Sequence, residues 1–166
     1  MKIRSGFVSN SSSSSFIVIE PSGKESILNE MRRRYANTIL TVDGDFGRTE
    51  YGWENEESND FESKVIFAYM QALYMIECVK PDGNEVGNQW IDMLERVIRE
   101  GTGCNDIEWN IVIDYDKEAV GKQRGYIDHQ SASHEGENTE MFESESSLYN
   151  FLFNDGSYIQ TGNDHD

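Results

Sequence analysis

The sequence is poor in the residues that build disulfide frameworks and membrane spans. Its 166 residues include only two cysteines, Cys78 and Cys104, with no CxxC pair, which excludes a disulfide scaffold and predicts a reducing compartment. The first four residues, which include Lys2 and Arg4, are not followed by the apolar run of a signal peptide. The longest uncharged apolar run, residues 65–76, is too short to span a bilayer. We therefore expect a cytoplasmic protein that does not bind membranes.

Basic residues are also scarce. The chain has 14 Lys and Arg against 31 Asp and Glu, for a net charge of -17. Such a charge predicts repulsion from nucleic acid and from anionic membranes, and attraction to basic protein surfaces. Two explanations of the charge remain open: simple solubility, or a surface that imitates the spaced phosphates of nucleic acid and occupies a nucleic-acid-binding protein.

Familiar catalytic motifs are missing as well. The sequence has no G-x-S-x-G elbow, no phosphate-binding loop and no G-x-G-x-x-G fingerprint. One alternative for chemistry is a divalent metal held by Asp128, His129 and His134, since a metal-bound water is a common hydrolytic nucleophile. The spacing of these residues matches no zinc signature. The leading interpretation has no cofactor and assigns no catalytic residue, so an enzymatic activity stays open, and a metal-dependent hydrolase is the alternative.

The segment that organises the chain is its start. A polar, turn-prone run reaches five consecutive serines, 11–15, and stops at the apolar residues 16–19. This pattern predicts a loop that leads into a buried first strand. The serine run itself has three interpretations: a structural turn, a recognition or processing tag, or a phosphate-cradling loop. The last is disfavoured because no glycine-rich backbone or spaced lysine accompanies it.

Residues 4–18, RSGFVSNSSSSSFIV, resemble a signature that opens many small proteins of tailed bacteriophages and of bacteria. The resemblance covers about the first 20 residues, and segments 125–130 and 151–164 look similar to some members. It implies a phage or prophage-related origin and expression in a bacterial cytoplasm, but it carries no activity and no catalytic residues. The residues that define the motif are Gly6, Phe7, Ser9, Asn10, Ser15 and Phe16.

Hydrophobic periodicity predicts the order of elements along the rest of the chain. We expect helices at 24–35, 61–79 and 85–100, a short helix capped by Ser144 or Ser146, and strands at 16–19, 38–42, 107–116, 125–130 and 157–160. The 61–79 helix is apolar nearly all round, which indicates a central helix or an oligomer interface. The strand at 107–116 is predicted to form an antiparallel hairpin with 125–130.

These elements predict a single α+β domain. We expect a small mixed or antiparallel sheet packed against three to four helices, with residues 1–15 as a serine-rich segment and 162–166 as a frayed acidic tail. The basic cluster Arg32, Arg33 and Arg34 has two interpretations: an anion contact, or a last helical turn that complements the helix dipole and pairs with the chain's own acids.

Two acidic stretches are the candidate contact surface. Residues 43–62, interpreted as an acidic surface loop, contain eight acids and one base, and the alternating segment 108–116 has a wet, acidic face. A third segment, 125–166, has no Lys or Arg. The candidate binding residues are Asp45, Glu50, Trp53, Glu54, Glu56, Glu57, Asp114 and Asp116.

The leading functional hypothesis is a non-enzymatic, phage-type accessory protein that binds a host or phage protein with a basic surface. Such binding can act by nucleic-acid mimicry, without direct binding of nucleic acid. The alternatives are the metal-dependent hydrolase, and a structural or assembly protein that uses the 61–79 helix or the serine segment as its interface. The pattern of the sequence leaves the oligomeric state and the partner open.

Overall fold

A computed structural model describes residues 3–5, 14–21, 23–24, 26–52, 54–116, 123–128, 131–132 and 138–162. It has four α-helices within these ranges: α1 (Ser26–Tyr35), α2 (Phe61–Cys78), α3 (Gly83–Thr102) and α4 (Glu145–Phe153). The strands are β1 (Ile3–Ser5), β2 (Ser14–Ile19), β3 (Ile39–Val42), β4 (Glu50–Tyr51), β5 (Glu56–Ser58), β6 (Asp106–Trp109), β7 (Val112–Ile113), β8 (Arg124–Ile127) and β9 (Tyr158–Gly162). The chain is a single α+β domain with small mixed sheets, as the sequence predicted.

Helix α2 is the centre of the core. Asp60 caps its first turn by accepting a hydrogen bond of 2.9 Å from the Ser63 amide. Side chains all round the helix are buried, including Val65, Phe67 and Met70. Burial of each such side chain contributes about 1.5–3 kcal/mol before the entropy cost is subtracted. The prediction of a central buried helix is confirmed.

Helices α3 and α4 cover two sides of α2. Leu94, Val97 and Ile98 form the buried stripe of α3, and the helix ends at Gly103 in the left-handed conformation (φ 73°). A side chain at Gly87 of α3 would lie 2.5 Å from the carbonyl oxygen of Ala72 in α2. The two helices therefore approach each other closely at this glycine. Ser144 caps α4 by accepting from the Ser147 amide at 3.0 Å, as the sequence predicted.

Within the described residues, the strands form three small sheets around the helices. The first is antiparallel, in the order β1-β2-β9-β5, with Ile17 opposite Ile159. The second is the parallel pair β3-β6, with Leu40 opposite Ile107. The third is parallel, in the order β4-β8-β7.

The antiparallel hairpin predicted from 107–116 and 125–130 is wrong. The segment divides at Asn110, whose amide donates to the carbonyl of Val42 at 2.8 Å and ends the pairing of β6 with β3. Beyond it, β7 pairs with β8 in parallel. The predicted faces are nevertheless right: Ile107, Ile111 and Ile113 are buried. Alternation reports which side chains are buried, but it carries no information about the partner strand.

Two other interpretations also need correction. Residues 43–62 are not wholly a loop, because β4 and β5 lie within them and Tyr51 is fully buried. The serine-rich segment 1–15 contains a strand of its own, β1, and its last residues, Ser14 and Ser15, belong to β2. The frayed tail predicted for 162–166 starts one residue too early, since Gly162 is paired in β9. Residues 163–166 lie outside the described residues.

The basic cluster on α1 is engaged by the chain itself. The Arg32 Nε donates to the carbonyl of Gly101 at 2.9 Å, near the end of α3. The Arg34 guanidinium forms ion pairs with Glu30 at 2.8 Å and with Glu62 at 2.7 Å. These contacts support the structural interpretation of Arg32 and Arg34.

The close contact of α2 and α3 gives a test of the packing. Gly87→Ala should destabilise the fold by about 1–3 kcal/mol, because the added methyl group meets the backbone of α2. Helix propensity alone predicts the opposite sign. The matched control is Asn88→Ala at the neighbouring exposed position, which should change stability little. Urea unfolding measures both, and a Gly87→Ala variant as stable as the parent would contradict the packing.

Candidate functional site

The three parallel strands of the β4-β8-β7 sheet end at one common edge. The amide of Asp128, just after β8, donates to the carbonyl of Tyr51 at 2.9 Å, and the amide of Asp114, just after β7, donates to the carbonyl of Gly125 at 2.8 Å. Gly52 follows β4 at the same edge. Carboxyl ends of parallel strands commonly hold ligands, because the chain leaves the sheet there and its polar groups converge. We call this edge, together with the outer face of the same sheet, which carries Glu50, Arg124 and Tyr126, the strand-end site.

Three tyrosines pack together beside this edge. The rings of Tyr74 and Tyr115 meet edge to face with centroids 5.5 Å apart, and Tyr115 lies 6.1 Å from Tyr126. Burial raises the pKa of the Tyr115 phenol well above its usual value, with further increases from Tyr126, Tyr74 and Asp128. Tyr115 is therefore neutral at physiological pH, and the three packed rings form an aromatic wall beside the strand ends.

Two hollows at the strand-end site share Glu50 and Tyr126 as lining residues. The smaller, of about 130 Å³, is completed by Arg48, Tyr51, Gly52 and Glu54. The larger, of about 250 Å³, is completed by Asp114, Arg124 and Gly125. Glu50 and Asp114 come from the two separate acidic stretches of the sequence, and the parallel pairing of β4, β8 and β7 brings them together.

The charged groups around the hollows differ in how they are engaged. Glu50 is exposed and forms no ion pair or side-chain hydrogen bond with any residue in the described ranges. The Arg124 guanidinium lies 3.9 Å from the Asp114 carboxylate and donates to the main-chain carbonyls of Asp114 at 3.2 Å and Asp116 at 2.9 Å. Arg124 thus fixes the backbone after β7 and offsets part of the negative charge there.

Arg48 in the smaller hollow is held by its own neighbours. Its guanidinium lies 4.8 Å from the centre of the Tyr51 ring, donates to the Thr161 hydroxyl at 2.8 Å and pairs with Glu56 at 3.4 Å. Its side chain is only 11% exposed. Arg48 is therefore a structural group that joins β4 to the first sheet.

The other candidate residues lie apart or outside the described chain. Asp45 is in an exposed turn closed by Asp43, whose carboxylate accepts from the Asp45 amide at 3.0 Å. Glu56 and Glu57 are on β5 of the first sheet, and Ser15 and Phe16 are on β2. Trp53, His129, His134, Gly6, Phe7, Ser9 and Asn10 lie outside the described residues.

Of the three candidate metal ligands, Asp128 is the one within the described residues. Asp128 is 2% exposed, and its two histidine partners are not among the described residues. Within the described ranges, no group of three or more His, Cys, Asp or Glu side chains is placed to hold a metal ion. The hypothesis stays a prediction.

Tyr74, Tyr115 and Tyr126 were not identified from the sequence. Tyr115 ends the apolar face predicted for 107–116, and Tyr126 lies on the strand predicted at 125–130. The missing information was the parallel pairing, which places both beside Tyr74 of α2. No local sequence signal encodes that encounter.

Comparisons of the chain with family models, with curated proteins and with solved structures give no match. Among the described residues, no helix combines the length and the apolar character needed to cross a membrane.

The tyrosine cluster predicts an unusual titration. Tyr115 should remain un-ionised at pH 10, where a free tyrosine is about half ionised. Because its pKa is raised in the folded state, its contribution to stability is present below pH 10 and is lost as the pH rises further. Tyrosine-labelled NMR detects the phenolate, and Tyr115→Phe assigns the signal. Half-ionisation of Tyr115 at or below pH 10 in the folded protein would contradict the buried cluster.

Proposed function

We propose that this chain is a non-enzymatic, phage-type accessory protein that binds a partner protein with a basic surface through the strand-end site. The observation that carries this proposal is the meeting of Glu50, Glu54 and Asp114 around the ring of Tyr126. A partner's lysine or arginine can place its charge against these carboxylates and its apolar stem against the ring. Such cations are also attracted to the face of an aromatic ring.

The overall charge of the protein also supports binding to a basic partner. With a net charge of -17, the protein attracts basic surfaces from a distance and speeds their association. Exposed carboxylates at the strand-end site then select where the partner docks. A partner that normally binds nucleic acid has the required basic surface, so occupation of that surface by mimicry is the mode of action we favour.

The N-terminal residues support a phage-related origin. The resemblance of residues 4–18 to proteins of tailed bacteriophages favours a phage or prophage-related origin, with action in the cytoplasm of a bacterial host. The described end of that segment, Ser15 and Phe16, is built into the first sheet through β2. The segment therefore contributes to folding whether or not its remaining residues are also recognised by a partner.

The proposal predicts that binding depends on the position of the charges and not only on their number. The variant Glu50→Gln/Glu54→Gln/Asp114→Asn should bind a fluorescent oligo-arginine peptide about tenfold more weakly, since three rim charges contribute about 0.5 kcal/mol each. The matched control is Glu85→Gln/Asp92→Asn/Glu100→Gln, three exposed acids on α3. Both variants change the net charge by the same three units. Equal loss in the two variants, measured by fluorescence anisotropy, would refute the site.

The natural partner can be identified with the same variants. The tagged protein and both variants serve as baits in a bacterial lysate, with washes at low and high salt and mass spectrometry of the bound proteins. We expect one protein that is released by salt, retained by the α3 control and lost from the strand-end variant. Binding that is unchanged from low to high salt would contradict the acidic mechanism.

A further inference from the structure

Lys64 is a lysine buried in the core of the domain. It lies on α2 with 0% of its side chain exposed, a position that lysine rarely takes unless it is paired. Its Nζ donates to the main-chain carbonyls of Asn154 at 3.3 Å and Ser157 at 3.1 Å. Within the described residues, Lys64 forms no ion pair.

The two carbonyls belong to the 154–157 turn, which joins α4 to β9 and also holds two other elements. The Asn154 amide group donates to the carbonyl of Glu20 at 2.8 Å, and the Ser157 hydroxyl accepts from the amide of Glu20 at 2.8 Å. The Asp155 carboxylate accepts from the Ser26 hydroxyl and from the Ile27 amide, so it caps the start of α1. The turn is thus the junction of β2, α1, α4 and β9.

The number of acceptors matches a neutral amine. A neutral lysine has two N–H groups, and the turn provides two carbonyls within hydrogen-bond distance. A protonated lysine has a third N–H, for which the described residues provide no acceptor. An unsatisfied charged donor in the core is costly, so the geometry favours the neutral form.

The two carboxylates that act electrostatically on Lys64 already accept hydrogen bonds from amides at the starts of helices. Asp60 and Asp155 both act electrostatically on Lys64, but Asp60 accepts from the Ser63 amide at 2.9 Å and Asp155 accepts from the Ile27 amide at 3.2 Å. Glu20, at the end of β2, packs against Gly156 of the same turn. A positive charge on Lys64 would attract Asp60 and Asp155 away from the helix starts that they cap.

We propose that Lys64 is a neutral amine in the folded protein at alkaline pH, and that proton binding to it as the pH falls toward neutrality loosens the 154–157 turn and the starts of α1 and α2. The device acts on the packing of the domain and is separate from the strand-end site.

The electrostatics of the position are consistent with this device. Burial lowers the pKa of Lys64 to about 7, while Asp60 and Asp155 oppose the decrease. Because the folded-state pKa is below the unfolded value of 10.5, the unfolded chain binds more protons between these limits. Stability therefore rises as the pH increases from 7 toward 10.5, and it falls as the pH decreases through that range.

The first test follows the lysine directly. NMR of the wild-type protein with labelled lysine side chains should show Lys64 titrating near pH 7, with Lys64→Met assigning the signal. Titration at pH 10 or above would overturn the proposal. This measurement on the wild type stands even if the variant fails to fold, since the other lysines can be assigned by their own substitutions.

The second test measures linkage. From pH 7 to pH 9, the unfolding constant of the wild type should fall about fifty-fold relative to that of Lys64→Met. The matched control, Lys80→Met at an exposed position, should follow the wild type. Parallel pH dependences of the wild type and Lys64→Met in urea unfolding would overturn the proposal.

The third test measures whether protonation of Lys64 weakens the capping hydrogen bonds at the starts of α1 and α2. Hydrogen exchange of the Ile27 and Ser63 amides, corrected for intrinsic rates, should show protection that decreases below pH 7 in the wild type. The same amides in Lys64→Met should keep constant protection. Protection that is unchanged with pH in the wild type would refute the loosening of the turn.

Discussion

The burial of α2 on all sides is the constraint on which the rest of the structure depends. Residues 63–72 of this helix are buried without a break, so they require cover from every direction, and α3, α4, β7 and β8 supply it. Two of its buried polar side chains fix segments that have no regular structure. Lys64 holds the 154–157 turn, and Gln71 donates to the carbonyl of Ser131 at 2.9 Å. Polar positions on an otherwise apolar helix therefore determine where irregular segments lie, because each buried donor must find an acceptor.

The same arrangement explains why the strand-end site faces outward. β7 and β8 rest on α2 with their apolar side chains, and Ile113 and Ile127 are buried. Chain that continues past a buried strand end must turn toward solvent, where carboxylates such as Asp114 are well hydrated. Tyr115 and Tyr126 lie between these two environments, with rings packed in the cluster and edges near the surface. The site is thus a boundary between core and solvent.

Local patterns in the sequence predicted most of the secondary structure and its buried faces, but they predicted little of the strand-end site. The periodicity of 61–79 predicted α2 nearly to the residue, and alternation in 107–116 predicted the buried face of β6 and β7. Both patterns report burial, which is encoded locally. The pairing of β7 with β8, the strands within 43–62 and the burial of Lys64 depend on contacts between distant segments. Nothing near Lys64 in the sequence distinguishes it from a lysine on the exposed side of a helix.

The pairing of β2 with β9 has a consequence for how the protein is made. Ser14 lies opposite Gly162, 148 residues later in the chain. At the usual rates of synthesis, β2 waits roughly 7–30 s for this partner. During that interval one edge of an apolar strand, residues 16–19, has no neighbour on the β9 side, and such an edge can pair with other chains. Pairing with β1 covers only the opposite edge of β2, so the edge that waits for β9 is the one at risk during synthesis.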